Sequence, residues 1–264
     1  MITFGSLFAG IGGLDLGLER AGMQCRWQVE IDDYARRVLA KHWPDVRRHD
    51  DVRTWPQADT EQVDLIVGGF PCTDISNAGK RAGITGEQSG LWTEFARIIR
   101  ELRPRIVLVE NVAALLGRGM DRVLGDLAES GFDAEWDCIP ASAVGAPHRR
   151  DRVFVVSYAE GIGRRSRRPW GVVGTGARKE DAAGMANASI EDDRRGDSES
   201  AERQGTEFGE GDSRAGGPWA VEPAVGRVAD GVPDRMDRLR CLGNAVVPQV
   251  AEWIGRRIIE GLSI

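Results

Sequence analysis

The order of its apolar segments predicts that this chain is a doubly wound α/β domain with a mostly parallel sheet. Three observations carry the prediction. Residues 2–7 read as a strand, and Val63, Leu65, Ile66 and Val67, then residues 105–109, give short apolar runs of the kind that strands show when both faces are buried. Helical spacing separates them, with Leu14, Leu18 and Ala21 after the first run and Leu91, Phe95, Ile98, Ile99 and Leu102 before the third. Each run gives way to glycine or to polar residues, Phe8-Ala9-Gly10-Ile11-Gly12-Gly13, Gly68-Gly69 and Glu110-Asn111-Val112, where an open sheet gathers ligands beyond its strand ends.

Taken in order, the first strand, glycine turn and helix form a nucleotide-binding unit, with Gly22 closing the helix. Glycines there let backbone approach a ligand closely. Residues 25–29 predict a second strand ending in Glu30, at about the interval where such folds place an acid on ribose hydroxyls. Together these favour an adenosine-containing ligand over a structural turn with a solvated glutamate. Residues 33–42 predict a helix, and Asp51-Val52 closes a third short strand, with Asp51 either on an adenine amino group or capping a helix. Further on, residues 120–130 predict a helix ended by Gly131, residues 132–139 a strand, and residues 147–156 a turn and strand, PHRRDRVFVV.

Cys72 stands just past the strand at residues 63–67, after Pro71, which stiffens the approach. A cysteine is often a small core hydrophobe. Here Thr73, Asp74, Ser76, Asn77, Gly79, Lys80 and Arg81 surround it with a polar, partly basic loop, which suits a nucleophilic thiol instead. With Glu110 on a neighbouring strand end, the pair suits covalent and acid-base chemistry, against the plain reading of Glu110 as a solvated end.

At 264 residues the chain can bury one substantial core with a small appendage. A net charge of −6 lowers the case for nucleic-acid binding without removing it, since local patches can still bind phosphate. The four cysteines form no C-x-x-C pair, so neither a disulfide framework nor a metal site is expected. No signal-peptide pattern and no apolar run of membrane-spanning length is present, so a soluble, cytoplasmic protein is expected. Residues 159–217 are rich in Gly, Arg, Asp, Glu and Ser, with too few large apolar residues (Trp170, Val172, Val173, Ile190, Phe208) to build a core.

FAGIGG, GGFPC, ENV, PHRRDRVFVV and LGNAVVPQ, in this order, resemble the signature series of the DNA (cytosine-5) methyltransferases of bacterial or phage type. The resemblance implies a sheet of the S-adenosylmethionine-dependent methyltransferase type. It divides the chain into a catalytic and cofactor-binding domain at 1–158, a variable target-recognition region at 159–230, and a segment at 231–264 that completes the catalytic domain. The implied reaction is methyl transfer to C5 of cytosine through a covalent Cys72 adduct on a flipped base. By motif match Glu110 binds the base at N3, and Arg150 and Arg152 lie near the base and the thiol. S-adenosylmethionine would be held by Phe8, Gly10, Ile11, Gly13, Glu30, Ile31, Asp51, Val52, Pro71, Leu91, Asn244, Ala245 and Val246.

Double-stranded DNA is the implied partner, contacted by Ser76, Lys80, Arg81, Arg164, Arg165, Arg167 and Arg168, and a monomer is expected. The resemblance also allows a cognate restriction endonuclease as partner. His148 replaces the glutamine usual in the family, and before LGNAVVPQ only Arg235 to Leu242 stands in place of the segment that orders target recognition. Rival readings are the same reaction on RNA, a catalytically degenerate DNA-binding relative, and, from the glycine turn and Glu30 alone, a nicotinamide-dependent oxidoreductase that leaves Cys72 and Glu110 unexplained.

Overall fold

Seven strands form one sheet in the order β3-β2-β1-β4-β5-β7-β6. A computed structural model describes residues 1–71, 90–162 and 233–262. The strands are β1 (Thr3–Leu7), β2 (Gln24–Val29), β3 (Arg47–His49), β4 (Leu65–Gly68), β5 (Ile106–Val112), β6 (Phe132–Pro140) and β7 (Asp151–Ala159). Helices α1 (Gly13–Arg20), α2 (Asp33–His42), α3 (Leu91–Leu102), α4 (Met120–Glu129), α5 (Arg235–Asn244) and α6 (Pro248–Leu262) connect or follow them. β1 to β5 pair in parallel, whereas β7 runs antiparallel to both β5 and β6. The doubly wound, mostly parallel prediction is borne out.

The continuous apolar runs divide between two cores because successive side chains on a strand point to opposite faces. From β5, Val107 and Val109 join Ile66, Trp92, Phe95, Ile99 and Leu127 on one face. Ile106 and Leu108 join Leu65, Val67, Leu14, Leu18, Val250 and Ile254 on the other. The first face is covered by α3 and α4, and the second by α1 and α6, although α6 lies more than 200 residues after α1 in sequence.

Local differences from the sequence reading have clear causes. Asp51 does not close the third strand, which ends at His49; its side chain accepts the Arg53 N–H and caps a short 3-10 turn over Val52–Thr54. Glu110 and Asn111 lie inside β5 and not past its end, because β7 extends the pairing as far as Val112↔Arg152. Helix α3 ends at Leu102, and Arg103 after it, with a φ of 48°, turns the chain before Pro104.

Candidate active site

The glycine turn after β1 is left-handed at Phe8, Gly10 and Gly12 (φ 53°, 57° and 84°), which brings the chain sharply into α1. Its close neighbour is the C-terminal segment: a Cβ on Gly13 would lie 2.4 Å from the backbone oxygen of Val246, so only glycine lets the two backbones meet. The Glu30 carboxylate ties this turn to the end of β2. Its oxygens accept the Gly10 N–H at 2.7 Å and the Asp32 N–H at 2.8 Å. Burial pushes Glu30 above the usual carboxylate range, and these two N–H groups pull it partly back.

Under the turn sits a buried polar knot. Asp15 accepts from Ser6 Oγ at 3.0 Å and from Gln28 Nε2 at 2.8 Å, and the Cys25 thiol approaches it at 3.8 Å. Asp15, Ser6 and Gln28 are fully buried, so the bonds join α1, β1 and β2 where no water competes. Burial raises Asp15 to about 6.

The second half of the site rests on β5 and β7. Glu110 continues the row Ile106, Leu108 and faces the same side of the sheet as Arg152, which lies opposite Val112, two residues further along. The Arg152 Nε lies 3.0 Å from Glu110 Oε1. A one-residue register slip would send Arg152 to the opposite face, so the apolar alternation of β7 also fixes the ion pair. Burial pushes Glu110 up to about 7, against the pull of Arg152 and Arg150. Asn111 donates from Nδ2 to the Phe70 carbonyl at 3.2 Å and so fastens the turn after β4 beside it.

These parts enclose a cavity of about 510 Å³. It brings together Phe8, Gly10, Gly13, Glu30 and Ile31 from the first unit and Asp51, Val52, Pro71 and Leu91 from the middle of the chain. Glu110 and Arg152 line it as well, with Asn244, Ala245 and Val246 from the C-terminal segment. Ile11 and Arg150 are not among the lining residues. Arg150 instead donates from Nη2 to the Ala245 carbonyl at 2.7 Å, which clamps the C-terminal segment to the start of β7. Burial and the neighbouring Arg152 lower its pKa.

Cys72, Ser76, Lys80, Arg81, Arg164, Arg165, Arg167 and Arg168 lie outside the described residues. Sequence reading missed Asp32, Arg53, Asn111, Arg240 and Cys241 in the lining. Asp32 carries a local signal as the acid that caps α2, and Arg53 and Asn111 stand next to Val52 and Glu110. Arg240 and Cys241 enter through contacts distant in sequence.

A family model described as C-5 cytosine-specific DNA methylase matches residues 2–182. Among curated relatives, the type II methyltransferase M2.BsuMI of Bacillus subtilis is 36% identical over 58% of this chain and 41% of its own length. M.CviJI of Paramecium bursaria Chlorella virus IL3A is 36% identical over 57% of this chain and 41% of its own length. The chain thus spans about two fifths of the length of these relatives. The crystal structure of S. pombe Dnmt2 methyltransferase superposes with a TM-score of 0.54 at 18% identity, covering 69% of this chain and 58% of that one, and shows the shared fold. A proposed DNA modification methyltransferase encoded within an E. coli prophage gives a TM-score of 0.54 at 25% identity, over 63% of this chain and 49% of that one. With its sheet order, its cavity and a family match over more than half its length, the chain belongs to the C-5 cytosine-specific DNA methylase family.

Proposed function

We propose that this protein transfers a methyl group from S-adenosylmethionine to C5 of cytosine in double-stranded DNA. The observation that carries the reading is the pair of buried Glu110 and partly buried Arg152 in the wall of the same cavity as Glu30 and the glycine turn. S-adenosylmethionine supplies, when bound, an electrophilic methyl on a sulfonium. The lining mixes the carboxyl groups of Glu30, Asp32, Asp51 and Glu110 with the guanidinium groups of Arg53, Arg152 and Arg240, and the Gly10 N–H, which a pyrophosphate would need, is occupied by Glu30. That arrangement disfavours a nicotinamide dinucleotide. Glu30, with a lone pair left on each oxygen, would accept the ribose hydroxyls. The acidic Asp51 would take the adenine amino group, and Asn244 and Val246 would close the far wall.

In this reading Cys72 attacks C6 of the extruded base: the Sγ–C6 bond forms, the ring electrons move towards C5, and Glu110 delivers its proton to N3. The methyl group then passes to C5 as its bond to the sulfonium breaks and a neutral thioether leaves; a base removes the C5 proton, the thiolate leaves as the C5–C6 double bond returns, and N3 gives its proton back to Glu110. A carboxyl held near 7 is protonated in a substantial fraction at neutral pH, which the proton delivery requires. Arg152 would orient Glu110 and offset negative charge as it develops on the base. Arg164, Arg165, Arg167 and Arg168 would supply phosphate contacts that position DNA without reading sequence. A paired endonuclease is the corresponding proposal for a partner, in keeping with relatives named type II methyltransferases.

The test is transfer of labelled methyl to mixed-sequence duplex DNA and, side by side, to transfer RNA, followed by bisulfite sequencing. The expected result is 5-methylcytosine in duplex DNA, lost in Cys72→Ala while S-adenosylhomocysteine binding persists. Substantial activity in Cys72→Ala overturns the covalent route, label confined to RNA moves the substrate, and no transfer to either nucleic acid overturns the proposed activity.

A further inference from the structure

Helix α5 lines the cavity with Arg240, Cys241 and Asn244 yet contains no buried residue. Met236, Leu239 and Leu242 are 76%, 54% and 65% exposed. A helix held by packing hides one face, and α5 does not. Its C-terminal end, by contrast, is fastened. The Ala245 carbonyl takes the Arg150 guanidinium, and Val246 is buried against Gly13. The chain is therefore anchored from Ala245 onwards, and α5 projects from that anchor along the rim of the cavity.

Across the rim, Arg240 Nη2 bonds Asp32 Oδ2 and also reaches Asp237 Oδ1 at 3.1 Å. Asp32 is a fixed point: its other oxygen accepts the Ala35 N–H at 2.9 Å and caps α2. It also stands two residues from Glu30, on the side where the ribose would lie. The Arg240–Asp32 pair thus joins the loosely packed helix to the rigid side of the cavity.

We propose that Arg240 is a positioning residue that latches α5 across the cofactor cavity, and that opening of its bond to Asp32 sets the rate at which bound cofactor product leaves. The proposal rests on the S-adenosylmethionine reading of this cavity. Both partners are partly exposed, with side-chain accessibilities of 57% and 27%, so salt weakens the bond. A pair of this kind shifts an equilibrium by about two- to five-fold, enough to slow release without trapping product.

Release of labelled S-adenosylhomocysteine into excess unlabelled ligand, measured on the full chain at about 50 and 500 mM salt, tests this. Arg240→Ala should release about two- to five-fold faster than wild type at low salt, with Arg240→Lys close to wild type because an ammonium can still reach Asp32. Added salt should speed wild type towards Arg240→Ala and leave the variant nearly unchanged. The unliganded variant should melt with wild type, since α5 buries nothing; a lowered melting temperature would mark a general structural role and overturn the latch. Equal release from wild type and Arg240→Ala also overturns it. If wild type itself binds no S-adenosylhomocysteine, the cavity reading falls and takes the latch with it.

Discussion

Gly69 and Glu110 leave no room between them: a Cβ on Gly69 would stand 2.5 Å from Oε2 of the Glu110 carboxylate. Gly69→Ala should therefore push Glu110 away from its 3.0 Å contact with Arg152. The expected loss in methyl transfer is about 10²-fold, the scale on which a displacement near 1 Å acts in a catalytic site. Calorimetric titration should show S-adenosylhomocysteine affinity little changed. A variant with wild-type turnover would separate this contact from the chemistry.

Glu110 makes a prediction in pH. Its carboxyl ionises near 7, and the protonated form is the one assigned to the base, so single-turnover methyl transfer should fall as pH rises through about 7. Glu110→Gln cannot deliver a proton. Its rate should drop by about 10²–10⁴-fold and lose that alkaline limb. A limb that survives in Glu110→Gln would belong to another group.

Asp15 makes a prediction in stability. The folded protein holds its proton more tightly than the unfolded chain, with a rise from 3.8 to about 6. The resulting stabilisation is complete below pH 3.8 and is lost as pH rises through about 6, which corresponds to about 3 kcal/mol. Asn at this position is neutral throughout and can accept from Gln28 while donating to Ser6, whose hydroxyl rotates. The stability of Asp15→Asn relative to wild type should therefore rise by about 2 kcal/mol between pH 4 and pH 7. Urea melts at the two pH values measure it; a constant difference would contradict the assignment.

Glu30 should not tolerate its amide. Both carboxylate oxygens accept backbone N–H groups, and an NH₂ in place of either would face a donor. Glu30→Gln and Glu30→Ala should both weaken S-adenosylhomocysteine binding by about 1–3 kcal/mol. Calorimetry on the pair is the check, and full affinity in Glu30→Gln would place the ribose elsewhere.

The elements that were legible in the sequence are those whose pattern is local. Runs such as residues 63–67 announce doubly buried strands, and the spacing of Phe95, Ile98, Ile99 and Leu102 announces α3. Strand direction is not local: nothing in the alternation of β7 tells that it inserts antiparallel between β5 and β6, and so Glu110 was read at a strand end. The cavity was legible where a motif carries its own residues, as at Glu30 and Asn244. Arg240 was not, because its meaning depends on Asp32, 208 residues away. Asp15 was not, because a carboxylate on the apolar side of α1 becomes intelligible only beside Ser6 and Gln28. Nor did the motif match reveal that Arg150 turns from the cavity to the Ala245 carbonyl.

The pairing of α1 with α6 also has a consequence in time. Arg256 donates to the Arg20 carbonyl at 3.4 Å across 236 residues. At a synthesis rate of about 5–20 residues per second, roughly 12–47 s separate the two helices as they leave the ribosome. Throughout that interval Leu14 and Leu18 have no α6 to cover them, and Gly13 has no Val246 to meet. The nascent chain holds an open apolar ridge beside an unfinished cavity, which is the state a ribosome-bound chaperone would shelter. On the S-adenosylmethionine reading of the cavity, competence to bind cofactor arrives late, only when residues 245–262 emerge.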